Sequence, residues 1–107
     1  MVNALAVTTA KRSSALPDLP TIAESGVPGY DSGVWYGLLA PAGTPSQIIT
    51  WLHNEAIRVL NSSDLRGRIT TEAVEPIGST PEYFAGYIKS ELAKWAKVVK
   101  ESGARID

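Results

Sequence analysis

The chain contains no cysteine and a single histidine in 107 residues. Without thiols, disulfides and thiolate metal sites are excluded. His53 has no second histidine with which to chelate a metal, and in mid-helix it reads as a surface or boundary residue. Long apolar runs are also missing. No stretch of about 18 apolar residues exists, so no helix is expected to span a membrane. The first seven residues lack the basic segment and the apolar length of a signal peptide, so a chain complete as written is expected in the cytoplasm. Charge of either sign is nearly balanced: the net value is −1, which gives no electrostatic case for nucleic acid or an anionic membrane. What remains is a globular composition, 44% hydrophobic and 20% charged. A chain of this size is one domain at most, expected to bury roughly two-thirds of its unfolded surface.

The clearest local signal is Trp35-Tyr36-Gly37-Leu38-Leu39-Ala40-Pro41-Ala42-Gly43-Thr44-Pro45. The aromatic-rich apolar run at 34–40 has strand length and is closed by Pro41. Ala42 and Gly43 turn the chain. Thr44 as N-cap, Pro45 at the first helical position and Gln47 at the third then open a helix over 45–60. A strand, a tight turn and a capped helix make a βα unit, the building block of α/β sheets.

Five further elements are predicted. Residues 4–8 form a short buried strand with Leu5 and Val7 on one face. Thr21-Ile22-Ala23-Glu24 is a capping-box pattern for one or two helical turns stopped by Gly26. Residues 27–31 are turn chemistry, with Gly29 taking a positive φ. In the helix at 45–60, Ile48 or Ile49, Leu52, Ala56, Val59 and Leu60 make an apolar stripe. Residues 61–64 stop that helix and cap a short one over 63–71. Residues 74–77 are a brief strand. Ser79-Thr80-Pro81-Glu82 opens the last helix, in which Phe84, Ile88, Leu92, Trp95 and Val99 recur at helical spacing until Gly103 ends it.

Reaction chemistry is sparse. Ser13, Ser14, Ser62 and Ser63 lie in turns without a G-x-S-x-G context. The eleven carboxylates are scattered singly, and no catalytic pair is indicated. Gly26, Gly29 and Gly33 form neither a dinucleotide fingerprint nor a phosphate loop. No metal site, cofactor or enzymatic activity is expected, because one histidine and no cysteine cannot build a nucleophile–base pair. Trp95 reads as core and Trp51 as the edge of the helical stripe. Tyr30, Trp35 and Tyr36 flank a loop at the start of a strand. Core packing is the ordinary fate of strand aromatics, and a cleft-facing role is the alternative.

Several spaced blocks together carry a family resemblance. Ala4-Leu5-Ala6-Val7-Thr8, Lys11-Arg12-Ser13, the run from Leu16-Pro17-Asp18-Leu19-Pro20 through Glu24-Ser25-Gly26-Val27-Pro28-Gly29-Tyr30, the block from Trp35 to Pro45, Glu75-Pro76-Ile77-Gly78-Ser79-Thr80-Pro81-Glu82 and Lys94-Trp95-Ala96-Lys97-Val98-Val99-Lys100 occur in this order. They resemble the tripartite tricarboxylate transporter receptors, also called Bug-type periplasmic solute-binding proteins, over essentially the whole chain.

The resemblance implies an α/β fold: a partial lobe of a two-lobed periplasmic-binding-protein architecture, with few short strands and two long amphipathic helices. It implies one partial domain over 1–107, in which a hinge strand at 4–8 returns from the second lobe and the rest completes the first lobe and its C-terminal helix. It implies a C-terminal portion of a receptor that catches small organic carboxylates in the periplasm and serves a membrane transporter. The family's best-known ligand loops belong upstream of residue 1, so the chain is expected not to bind ligand alone. Asp31, Ser32 and Trp35 are the candidate remnant of the cleft wall. Ser32 offers a hydrogen bond to a carboxylate; Asp31 is a poor partner for an anion and has an alternative role as a turn residue. The rival reading is a receptor remnant that persists as a small non-catalytic, self-associating interaction protein. In either case strand and helix faces without partners lead us to expect a homodimer.

Overall fold

The computed structural model describes residues 2–105. Three helices carry the regular structure: α1 (Ser46–Leu60), α2 (Ser63–Thr71) and α3 (Pro81–Ser102). Their ends follow local chemistry. Ser62 caps α2, its hydroxyl oxygen accepting from the Leu65 N–H, and Thr80 caps α3 by accepting from the Tyr83 N–H at 3.2 Å. Pro81 then sits where its missing N–H costs nothing. Gly103 ends α3 in the left-handed region at φ 68°. At the end of α2 it is Ala73 that adopts a positive φ, 55°. Its N–H donates to the Thr70 carbonyl and the Val74 N–H to that of Ile69, a Schellman closure built on a residue with a Cβ.

Two expected caps turn out differently. Pro45, not Thr44, is the N-cap of α1, and no side chain caps that helix. The Thr44 hydroxyl donates instead to the Pro41 carbonyl at 2.7 Å, so the turn has taken the group the helix needed. The Thr21–Glu24 box does form. The Glu24 N–H donates to Thr21 Oγ1 at 3.0 Å and the Thr21 N–H to Glu24 Oε2 at 2.8 Å. It closes a turn rather than a helix, ended by Gly26 at φ 116°. That box and the neighbouring Arg12 hold the Glu24 carboxyl below its ordinary range, the backbone bond from Thr21 being the larger cause.

The expected strands are almost unpaired. Val7 makes one parallel bridge with Thr21, and Leu5 is 82% exposed rather than buried. Residues 34–40 and 74–77 join no ladder among the described residues. A strand exists through its neighbour's hydrogen bonds, and among the described residues neither segment takes part in such a ladder.

The core is correspondingly thin. Among the described residues no hydrophobic side chain is buried; only Thr21 and Glu91 are. The chain exposes 9,073 Å², where a compact monomer of 11.4 kDa exposes about 5,800 Å². It buries about 45% of its unfolded surface instead of the expected two-thirds. Its radius of gyration is 17.0 Å, against about 13 Å for a compact domain of this length. The helices touch sparingly. α1 and α2 pack on each other; in α1 the half-buried positions are Ile49, His53, Glu55, Ala56, Ile57 and Leu60, while Leu52 and Val59 lie exposed. α3 is held mainly through the segment that crosses it at residues 31–37.

Candidate functional site

The corner where that segment meets α3 contains one of the expected site residues in full and touches the other two. Phe84, Tyr87, Glu91 and Lys94 are spaced by three, four and three residues, which puts them on one face of α3. The Trp35 ring lies edge-on to both Phe84 and Tyr87, with centroids 5.5 Å apart in each case. Gly37 lets the backbone come down onto the helix. A Cβ there would overlap the Phe84 ring.

One turn further along, Glu91 is 8% exposed, a buried carboxylate in a chain with almost no interior. Its charge is answered twice: Lys94 pairs with Oε1, and the Trp95 indole N–H donates to Oε2 at 2.9 Å. These two donors, Lys94 first, hold the Glu91 carboxyl below its ordinary range against the opposing effect of burial. Glu91 in turn raises Lys94. The Tyr87 phenol is raised by burial and then by the charge of Glu91. Lys94 Nζ also lies 5.4 Å from the centre of the Trp95 ring, within cation–π range, and donates to the Asp31 carbonyl at 3.3 Å.

Asp31 and Ser32 are fastened rather than free. The Asp31 carboxylate accepts the Ala10 N–H at 3.1 Å, and the Ser32 N–H donates to the Thr8 carbonyl at 2.9 Å. Residues 8–10, 31–32 and 94 are thus tied into one corner. Trp35, 38% exposed, lines an open, mainly apolar groove of about 530 Å³ along α3 with Ile88, Leu92, Trp95 and Val99, and Glu91 is its charged lining residue. A second open hollow of about 410 Å³ lies between Ser14, Arg66, Thr70 and Glu75. Asp31 and Ser32 line neither. The aromatic expectations are adjusted accordingly: Trp95 is 42% exposed rather than core, and Trp51 and Tyr36 stand largely in solvent. Sequence reasoning missed Glu91 and Lys94. The available signal was a carboxylate three residues after Ile88 and four before Trp95, inside the stripe read as apolar.

Chemically the corner packs and orients. Its one buried carboxylate is neutralised, and its one lysine is engaged by that carboxylate and by a carbonyl. No group of three or more His, Asp or Glu converges on a metal-sized site among the described residues.

Comparison with known proteins bears on the whole chain. The family model described as the tripartite tricarboxylate transporter family receptor matches residues 1–104. Protein BugT of Bordetella pertussis is 33% identical over 105 residues, 98% of this chain and 32% of that protein. A UPF0065 protein from the tcbD-tcbE intergenic region of a Pseudomonas strain is 36% identical over 101 residues, 94% of this chain and 30% of that one. Among solved structures, R. palustris Rpa4515 with adipate superposes at a TM-score of 0.75 and 42% identity, and the periplasmic binding protein BugD at 0.75 and 34%. Each comparison covers 92% of this chain and 33% of the solved one. The chain spans about a third of the length of the relatives it matches.

Proposed function

The chain belongs to the tripartite tricarboxylate transporter receptor family, and from that premise we propose that it forms the C-terminal part of a solute-binding lobe for small organic carboxylates. Its fold is a partial lobe of the periplasmic-binding-protein architecture, with the helices formed and the strands nearly all unpaired. Members of the family are periplasmic binding proteins, and among the described residues no helix is long and apolar enough to cross a membrane. The observation that carries the reading is the exposed surface: 9,073 Å² with no buried hydrophobic side chain among the described residues. Such a surface is what one layer of a larger α/β unit presents before the sheet covers it.

On this reading the 31–35 corner contributes to the wall of the ligand cleft. Ser32 supplies a hydroxyl and Trp35 an apolar face, while Lys94 and Glu91 hold the loop in position. The ligand class is a short dicarboxylate, by analogy with the adipate in the R. palustris protein. Delivery to a membrane transporter, a periplasmic location and the lack of catalytic activity belong to the same proposal. The 107-residue chain alone binds no such anion tightly, because affinity in a cleft comes from enclosing the ligand on both sides. One open wall leaves it in water, where each polar contact is worth about 1 kcal/mol net. Calorimetric titration with adipate, citrate, glutamate and malate tests this: heats at the level of dilution are expected, and micromolar affinity for any of them refutes it.

A second reading is favoured by the same exposed apolar surface together with a net charge of only −1: standing alone, the chain associates with itself.

A further inference from the structure

Residues 34–40 are the least satisfied part of the molecule. From Tyr30 to Pro41 the backbone runs without turn, bend or ladder. Among the described residues, no hydrogen bond engages the backbone N–H or C=O groups of 34–40. The segment is nevertheless seated. Trp35 and Gly37 face α3, as the Trp35–Phe84 contact and the close approach of Gly37 to Phe84 require. Alternation then turns Val34, Tyr36 and Leu38 outward, and they are 86%, 87% and 85% exposed. An extended segment is held on a helix at Trp35 and Gly37, with an unpaired backbone and an apolar outer face, and Leu39, on the inner side, is 79% exposed.

Soluble proteins blunt such edges with lysine, proline or inward-pointing charge. Here charge does none of this, since from Ser32 to Asn54 the sequence contains no Asp, Glu, Lys or Arg, and the prolines Pro41 and Pro45 lie beyond residues 34–40. We infer that residues 34–40 are a strand-accepting edge, and that in the 107-residue chain its occupant is the same segment of a second copy, paired antiparallel about a two-fold axis.

The self-pairing follows from symmetry and area. A two-fold axis normal to the strand brings identical segments together antiparallel and closes after two copies. It keeps Val34, Tyr36 and Leu38 of both copies on one shared face, since opposed residues in a ladder point the same way. A stable interface of standard size removes about 800 Å² from each partner. The surface in excess of a compact monomer, spread over the whole chain, is about 3,300 Å², of which such an interface needs about a quarter. The net charge of −1 opposes the approach only weakly. The inference rests on the self-association reading and adds the edge through which it occurs.

Hydrogen exchange of the unmodified chain, read alongside sedimentation equilibrium over about a hundredfold range of concentration, separates the two. A dimer whose 34–40 amides exchange at least about tenfold more slowly as it forms is the expected result. Leu38→Lys, at an exposed position, should keep the helical circular dichroism and weaken association about tenfold or more. A dimer whose 34–40 amides exchange as freely as in the monomer overturns the edge and leaves self-association standing. A monomer throughout overturns both.

Discussion

Urea denaturation of the dilute chain should show an unusually shallow transition. The slope of unfolding free energy against denaturant scales with the surface that unfolding exposes. An unfolded chain of 11.4 kDa presents about 16,500 Å², and a compact fold of that mass hides about 10,700 Å² of it. With 9,073 Å² still exposed in the folded chain, only about 7,500 Å² is hidden. The slope should therefore be about 0.7 of that of a compact 107-residue domain. The heat capacity of unfolding should fall in the same proportion, to about 0.9–1.1 kcal/mol/K in place of about 1.3–1.6. Tryptophan fluorescence follows the transition well, since Trp35 and Trp95 both sit at the α3 corner. Measurements belong at concentrations where sedimentation shows monomer, because association hides further surface and steepens the slope. A proven monomer with the full slope of a compact domain would refute the reasoning.

Gly37→Ala should destabilise the fold by about 1–2 kcal/mol, overpacking against Phe84 outweighing the gain from a less flexible unfolded chain; urea melts should show Phe84→Leu relieving most of this in the double variant. Ala73→Gly should stabilise by about 0.5–1 kcal/mol by removing a Cβ from the left-handed closure of α2, read as a higher melting temperature. Glu91 has a folded pKa below its ordinary 4.5, so unfolding takes up a proton in acid; its contribution is present above about pH 4.5 and is lost as pH falls through the folded value. Thermal melts from pH 7 to pH 3 should therefore fall less steeply for Glu91→Gln, and an unchanged acid limb would remove Glu91 from the account.

The parts of the fold that were legible in the sequence are those decided within a few residues. Ser62, Thr80, Pro81 and Gly103 act on their own helix ends, and α2 and α3 fall where the caps place them. The Thr21–Glu24 box is met atom for atom, yet no helix follows, because the chain reaches Gly26 within five residues. Thr44 had two local partners of similar merit, and the Pro41 carbonyl won. Residues 4–8, 34–40 and 74–77 read as strands in the sequence, but strand pairing depends on neighbours remote in sequence, and among the described residues only the Val7–Thr21 bridge forms. For the candidate site, the sequence placed three residues on one loop, and the structure gives them different partners. Trp35 lies on α3, while Asp31 and Ser32 are fastened to residues 8–10. What periodicity hid was polarity within a stripe. A helical repeat reports which side of α3 is apolar, but not that the contact face turns toward Tyr87, Glu91 and Lys94 and leaves Leu92 and Trp95 half in water.

The bond from Lys94 to the Asp31 carbonyl joins residues 63 apart, and it has a consequence for the order in which the molecule assembles. Helices of this length form in about a microsecond, before distant segments meet. Closing a loop of that size has an entropic cost that grows with the logarithm of its length and is repaid only once contact is made. Here the repayment is small: two aromatic edges, one lysine and the room left by a glycine. Docking of the 31–37 segment on α3 is therefore expected to follow formation of the helix.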